Sequence, residues 1–498
     1  MGFLVIDLGT SNCRAVFIDE GGNCNKEERA PVKVSIKGPY AEIDTDEAWK
    51  TVCVLVKRLL RNVPSKDIDV VGIGALLGYV YLDSKDQPIK PAFIWMDTRA
   101  DREALEMTKF FSEDFIYAVT GRRISPELLA PQIRWSSKHD NGVFRKIRRI
   151  IGLKDELIRR LTGEIVTDYS HMNYSMLCDY RNGKVDDAFV AWTGLKRYPL
   201  PNAVPAQTII GEVNRSASVL TGLPQGIPVI CGTSDGTAAM YGGGILVPNT
   251  AVLVSGTTDV LMALTARPLS GCDSLLSINT GMIVDTYAVG GASGLAGGTL
   301  RPLSALFGME VSNLIEQAEK IPAGSEGLLL LPGFTGERSP YWKSYLSGGV
   351  LGWTPTHGPA HFTRALFESC SYRILRWLLT LRKTKINIGK VNIVGGGSRI
   401  NLWNQIKADV CGISLTQPRE IEATALGIAL LCRLGVDKEA LPEKLSESWI
   451  VPQCEFSPDE RRHAYYGELF ALFEHCLENV DEIYWDLEKI QLREHPEQ

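Results

Sequence analysis

The sequence predicts an α/β protein made of two related lobes, and three observations carry that expectation. The chain opens with a short apolar run, a polar glycine turn and a second apolar run. The same arrangement recurs about half-way along. Around the two copies, short apolar runs alternate with amphipathic stretches of helical spacing, the order expected of a mixed α/β architecture.

Phe3-Leu4-Val5-Ile6 reads as a buried strand, followed by the turn Asp7-Leu8-Gly9-Thr10-Ser11-Asn12. Arg14 to Asp19 reads as the next strand, closed by Gly21-Gly22-Asn23. In the second copy Ala251 to Val254 is apolar, Ser255-Gly256-Thr257-Thr258-Asp259 is the turn, and Val260 to Leu264 is apolar again. Two hairpins of one design suggest an internal duplication. Val70 to Ala75 reads as a strand, and the spacing of Ile147, Ile150, Ile151, Leu157, Ile158 and Leu161 predicts one helix over 144–161. Gly242-Gly243-Gly244, with Pro248 beyond, is a junction between lobes, and the amphipathic stretch 459–488 predicts terminal helices on the second lobe.

A length of 498 residues is too great for one ordinary core and calls for two or three domains. Hydrophobic residues at 45% and a net charge of −5 describe a globular chain with no basic surplus for nucleic acid or anionic membrane. The 11 cysteines form no C-x-x-C pair, which predicts reduced, buried thiols and a cytoplasmic protein. No signal peptide or membrane span is legible.

The turn at Asp7, Gly9, Thr10 and Ser11 is the first chemical candidate. A glycine lets backbone approach a phosphate, hydroxyls and N–H groups donate to its oxygens, and a carboxylate at a strand end can hold Mg²⁺ through water. Arg14 could add positive charge; the plain alternative is an ordinary hairpin turn. Gly256 and Thr257 offer a second cradle, and Gly395-Gly396-Gly397 after an apolar run offers a place for a base or ribose, against the alternative of a tight strand–helix turn. Asp235, among small residues after the run Ile227 to Ile230, could accept the proton of an attacking hydroxyl. From the local sequence alone the N-cap of the helix that follows is the reading ahead, and the two roles are compatible.

Other motifs fail. Gly72-x-Gly74-x-x-x-Gly78 has the wrong spacing for a dinucleotide fingerprint and runs into the strand pattern Tyr79 to Leu82. There is no P-loop, no protein-kinase motif set, and no zinc spacing among the seven histidines.

Ten segments, in order, resemble the FGGY family of carbohydrate kinases across roughly residues 1 to 435. They include DLGTSNCRA at the start, AEIDTDEAW from Ala41 and IKPAFIWMDTRAD from Ile89. LIRRLTGEIVTDYSHMNYSMLCDY from Leu157, GTSDGTAAMYGGG from Gly232 and SGTTD from Ser255 continue the series. LPGFTGERSPYW from Leu331, GGGSRINLWNQIKADVCG from Gly395 and EIEATALGIAL from Glu420 follow. The resemblance implies two actin-like ATPase lobes, each ribonuclease H-like, with a cleft between them. It implies a sugar-binding catalytic lobe at 1–244, an ATP-binding lobe at 245–435 and a helical extension at 436–498. It implies a kinase using ATP and Mg²⁺ on a small sugar or polyol, most closely a ketopentose; a homodimer is left open.

Residue by residue, the resemblance implies that Asp7 organises Mg²⁺ and that Thr10, Ser11, Arg14, Gly256 and Thr257 contact phosphates. Gly395, Gly396 and Asn401 would line the adenosine site, and Asp235 would be the base. Trp95, Asp97 and Arg99 match a segment beside the sugar pocket, and Glu337 and Arg338 a segment of the second lobe, with a structural role standing equally for all five. Ala75-Leu76-Leu77-Gly78 departs from the pattern: xylulokinases carry Gln-Met-His-Gly here and glycerol kinases Arg-Glu. If Leu76 and Leu77 line the sugar pocket, a buried hydroxyl left without a partner costs about 1–3 kcal/mol. The expectation is therefore a different or less polar sugar, partners from elsewhere, or a weakened sugar-binding protein that keeps the fold.

Overall fold

The computed structural model describes residues 1–269, 275–280, 286–420 and 422–494. It divides into two compact units: Met1–Pro248 with Leu264–Ala288 and Glu422–Ile450, and Asn249–Ala263 with Val289–Ile421 and Val451–Gln498. The units interleave along the chain, whereas the sequence reading cut it at single points.

In the first unit, β1 (Gly2–Leu8), β2 (Asn12–Asp19) and β3 (Cys24–Pro31) form an antiparallel meander. Helix α1 (Thr45–Leu59) follows, its first turn capped by the Asp44 side chain. Next come β4 (Val70–Ala75) and β5 (Gly78–Leu82). β4 lies parallel to β1, pairing Ile6 with Ile73 and Asp7 with Gly74. Every residue of β1 is buried, as a central strand covered on both faces requires. The strand Arg149–Gly152 pairs with β5, and α2 (Leu153–Thr162) starts immediately after it. The single helix expected over 144–161 is thus corrected: Ile150 and Ile151 are fully buried in an extended pairing, and helical periodicity begins only at Leu153.

β6 (Ile209–Glu212) and β7 (Pro228–Ile230) complete this sheet, in the order β6-β7-β4-β1-β2-β3. The short strand Thr233–Ser234 also pairs with β4, setting Thr233 beside Gly74, and α3 (Asp235–Gly242) follows it directly. Asp7, Gly74 and Thr233 therefore lie side by side at the carboxyl ends of parallel strands, where open α/β sheets bind ligands.

The second unit repeats the pattern. β8 (Ala251–Ser255) and β9 (Thr258–Thr265) form an antiparallel hairpin, and β10 (Tyr287–Leu295) lies beside β9. After helix α4 (Pro359–Lys383), β11 (Lys390–Val394) runs parallel to β8 on its other side. The order β10-β9-β8-β11 reproduces β3-β2-β1-β4, which accounts for the two hairpins of one design. Helix α5 (Asn401–Cys411) leads into β12 (Ser414–Pro418), parallel to β11.

Helix α6 (Ala423–Val436) belongs to the first unit, where it packs on β4 and on α3. Two glycines make the helix crossing close. A Cβ on Gly242 would sit 1.8 Å from the Ala423 carbonyl oxygen, and one on Gly427 1.8 Å from that of Ala238. β13 (Pro452–Phe456) pairs with β12, and the terminal helix α7 (Glu460–Glu494) packs on α5 of the second unit. Among the described cysteines all are free thiols, but Cys24 and Cys454 are exposed, so burial does not extend to every one.

Candidate active site

Asp7, next to last in β1, faces Arg14 across the hairpin, because the antiparallel register pairs these two positions. Two guanidinium nitrogens, Nε and Nη2, donate to Asp7 Oδ2 at 3.0 and 2.6 Å. The third, Nη1, donates to Glu422 Oε2 at 2.8 Å. Asp7 Oδ1 is buried and has no hydrogen-bond partner among the described residues. Burial raises the Asp7 pKa, an effect the neighbouring Arg14 charge only partly offsets.

Asp7, Gly9, Arg14, Asp235, Glu422 and Thr424 line one cavity of about 280 Å³. Asp235 is half-buried at its wall as the first residue of α3. The cap of that helix is not Asp235 but Ser234, whose side chain accepts from the Thr237 N–H. The capping alternative for Asp235 is thereby corrected: its carboxylate accepts from the adjacent Gly236 N–H at 2.7 Å, and not from the N–H groups of the next turn that a cap would serve. Burial, and then the charge of Asp7, push its pKa from 3.8 to about 6. Such a group is mostly ionised at neutral pH and more basic than an ordinary carboxylate, which suits proton abstraction.

A buried ionic network that sequence reasoning missed underlies Asp235. Lys154 has no solvent exposure; its ammonium lies 2.5 Å from Asp155 and 3.3 Å from Asp168, and donates to the Cys231 carbonyl at 3.0 Å. Asp168 in turn accepts from the Thr233 hydroxyl at 2.8 Å and contacts His171 Nδ1 at 2.7 Å. Ser170 and Ser234 both meet the Thr237 hydroxyl, at 3.0 and 2.8 Å. The segment before Asp235 is thus tied to these charges through the Cys231 carbonyl and the Thr233 hydroxyl, and Thr237 after it is held by two serine hydroxyls. Lys154 and then His171 hold the Asp168 pKa below the usual carboxylate range against its burial. Glu422 and Thr424 were also missed: they stand about four hundred residues from Arg14 in sequence, where no local spacing could signal them.

The proposed sugar contacts fare unevenly. Leu76 is fully buried in the core with Leu4, Leu8 and Ile73, its N–H bonded to the Leu8 carbonyl, so its assignment to a sugar pocket is corrected. Leu77 is half-buried on the opposite side, against the cluster of Tyr79 and Tyr81. Asp97 is also corrected to a structural role. It is fully buried, and its two oxygens accept from Arg99 Nε at 2.8 Å, Arg99 Nη2 at 2.6 Å, Gln132 at 3.0 Å and the Ala41 N–H at 2.9 Å. Trp95 is exposed and its indole N–H donates to the Thr10 hydroxyl at 3.0 Å, beside the half-exposed Gly9 and exposed Ser11. Glu337 is buried against Arg373 at 2.9 Å and accepts from the Gly294 N–H, whereas Arg338 is exposed.

In the second unit the turn at Gly256 and Thr257 is closed by the Gly256 N–H to Thr258 carbonyl bond at 3.0 Å. The Thr257 carbonyl accepts from the N–H groups of Ala296 and Gly298, which leaves its side chain exposed. Gly395 has φ +85° and Gly396 is open on its Cβ side, while Asn401 is exposed at the start of α5.

Both units match one family. The model of the N-terminal domain of the FGGY carbohydrate kinases covers residues 3–242, and that of the C-terminal domain covers 251–435. The chain belongs to the FGGY family of carbohydrate kinases. It is an ATP-dependent sugar kinase, as the family's enzymes are. This family member is 25% identical over 494 residues to a xylulose kinase of Staphylococcus epidermidis, spanning 97% of this chain and 98% of that one. It is 27% identical over 484 residues to a glycerol kinase of Saccharolobus islandicus, spanning 93% and 94%. The solved xylulose kinase from Rhodospirillum rubrum shares its fold, with a TM-score of 0.91 at 24% identity over 97% of this chain and all of that one. The two duplicated sheets are therefore the actin-like ATPase fold of this family. No described helix is long and apolar enough to cross a membrane.

Proposed function

We propose that this carbohydrate kinase phosphorylates a ketopentose of the xylulose type, with Asp235 as general base. The observation that carries the reading is the position of Asp235: uncapped, basic for a carboxylate, and on the wall of the cavity that also holds Asp7 and Arg14. Asp235 Oδ takes the proton of the acceptor hydroxyl as that oxygen attacks the γ-phosphorus of ATP; the bond from this phosphorus to the β–γ bridging oxygen breaks, and ADP leaves with that oxygen. In the first unit Thr10, Ser11 and Arg14 are the residues assigned to phosphate; in the second, Gly256 and Thr257 are assigned to phosphate and Gly395, Gly396 and Asn401 to adenosine.

Asp7 is the residue that would hold Mg²⁺. One of its oxygens is bare and buried, and no group of three His, Cys, Asp or Glu side chains fit for a metal occurs among the described residues. A single available carboxylate oxygen suits an ion that keeps several waters and binds mainly through phosphates. When bound, Mg²⁺ neutralises charge on the transferring phosphoryl group. Arg14 holds the other Asp7 oxygen and so orients the carboxylate. The ketopentose class is favoured by the similarity to xylulose kinases along nearly the whole chain. Of the apolar stretch Ala75-Leu76-Leu77, the feature that favoured a weakened enzyme, Ala75 and Leu76 are core residues and Leu77 is half-buried against a second cluster. A coupled ADP-release assay over ketopentoses, aldonates, tetritols, glycerol and deoxy-sugars tests the reading. Xylulose should give the highest kcat/KM, and a preference for glycerol or an aldonate would replace the ketopentose assignment.

A further inference from the structure

Helix α5 carries a lysine with no exposure to solvent, Lys407. Its ammonium lies 3.7 Å from the centre of the Trp403 ring and donates to the Ser255 hydroxyl at 2.7 Å. Ser255 passes the hydrogen bond on, donating to Asp259 Oδ1 at 2.8 Å, and the Asp259 N–H donates to the Ser293 hydroxyl at 3.0 Å. Lys407 makes no direct ion pair among the described residues. Burial draws its pKa below the usual lysine value, with the charge of Asp259 opposing that shift. Burying an ammonium this way is costly, and a methionine of similar length would pack the same space without that cost.

What the lysine does that methionine could not is grip Ser255, and Ser255 is where two turns meet. It immediately precedes Gly256 and Thr257. It also forms the wall against the second glycine turn: a Cβ on Gly395 would lie 2.6 Å from the Ser255 carbonyl oxygen, and one on Gly397 2.5 Å from its hydroxyl. We propose that Lys407 is a positioning residue for the nucleotide, fixing through Ser255 the register of the Gly256-Thr257 turn against the Gly395–Gly397 turn. The proposal rests on the reading that these two turns hold phosphate and adenosine. Lys407 itself does not touch the nucleotide.

The test uses the full-length chain, with ADP as the probe in titration calorimetry and a thermal melt run alongside. Lys407→Met and Ser255→Ala should each weaken ADP by about tenfold or more, since small misplacements of a binding group carry penalties of that order. The Lys407→Met melting temperature is the control, because the variant removes a buried ammonium but also takes the nearby positive charge from buried Asp259. Wild-type ADP affinity in both variants overturns the proposal, as does a lower melting temperature with unchanged affinity, the mark of a merely structural lysine. If Lys407→Met fails to fold, Ser255→Ala decides. Gly256→Val tests the underlying reading separately, because its side chain enters the open space of the turn. If Gly256→Val binds ADP normally, the assignment of the turns falls. If Gly256→Val loses ADP while the other two variants bind it normally, only the role of Lys407 falls.

Discussion

The Arg14 guanidinium holds one oxygen of Asp7 at 2.6 Å and leaves the other bare and buried at the wall of the cavity. Arg14→Met removes the partner that offsets Asp7 burial, so the carboxylate pKa should rise further and Mg²⁺ should bind less well. The Mg²⁺ concentration giving half-maximal ADP release should increase about tenfold or more, as expected when the orienting partner of a ligand is lost. An unchanged Mg²⁺ requirement would detach Arg14 from this role.

As the proposed base, Asp235 should set the acid limb of the pH profile. With a pKa of about 6, kcat/KM should fall about tenfold per unit below that pH as the base becomes protonated. A ¹³C titration of the side chain should show the same midpoint. In Asp7→Asn the midpoint should move down, because the Asp7 charge is the second cause of the elevation.

Asp235→Asn should lower kcat by about 100- to 10,000-fold, the usual contribution of a general base. It should also stabilise the fold, because the wild-type carboxylate is ionised at a cost. The native pKa lies above the ordinary 3.8, so the folded state binds the proton more tightly and loses stability as pH rises from 3.8 to about 6. The advantage of the variant should be full above about pH 6 and absent below 3.8. Solvent screening at this half-buried position keeps it to about 1–2 kcal/mol. Chemical denaturation at pH 7.5 and pH 3.5 measures both arms.

Lys154→Met should destabilise the first unit by about 3–5 kcal/mol, since it strands two buried carboxylates, Asp155 and Asp168. Asp168 has a depressed native pKa, so its stabilising contribution is present above 3.8 and is lost as pH falls below that value. The gap between variant and wild type should therefore narrow in acid. Thr233→Val is the milder probe, costing about 1–3 kcal/mol for the lost bond to buried Asp168.

Leu76→Ala should cost about 2–5 kcal/mol as a core cavity, while leaving the order of sugar preference unchanged. A changed preference in the assay panel would return Leu76 to the sugar site. Gly427→Ala is the sharper packing test: its methyl would collide with the Ala238 backbone, and the crossing that seats Glu422 and Thr424 beside Asp235 would open. A loss of about 3 kcal/mol or more, visible in the denaturation midpoint, is expected.

Much of this protein was legible in its sequence because the signals are local. Apolar runs and glycine turns a few residues long determined the two hairpins, the duplicated design and the candidate loops at Asp7 and Gly256. Helical spacing misled at Ile150 and Ile151, where an apolar run satisfies helix and buried strand alike until pairing with β5 decides between them. Only the tertiary structure could show that Leu76 faces the core, that Asp97 is taken up by Arg99 and Gln132, and that Ser234 caps the helix at Asp235. The reach of Glu422 to Arg14 spans 408 residues of chain, and that of Lys407 to Ser255 spans 152. Burial and charge contacts of that kind follow from which strands and helices pack together, and no spacing along one chain encodes them directly.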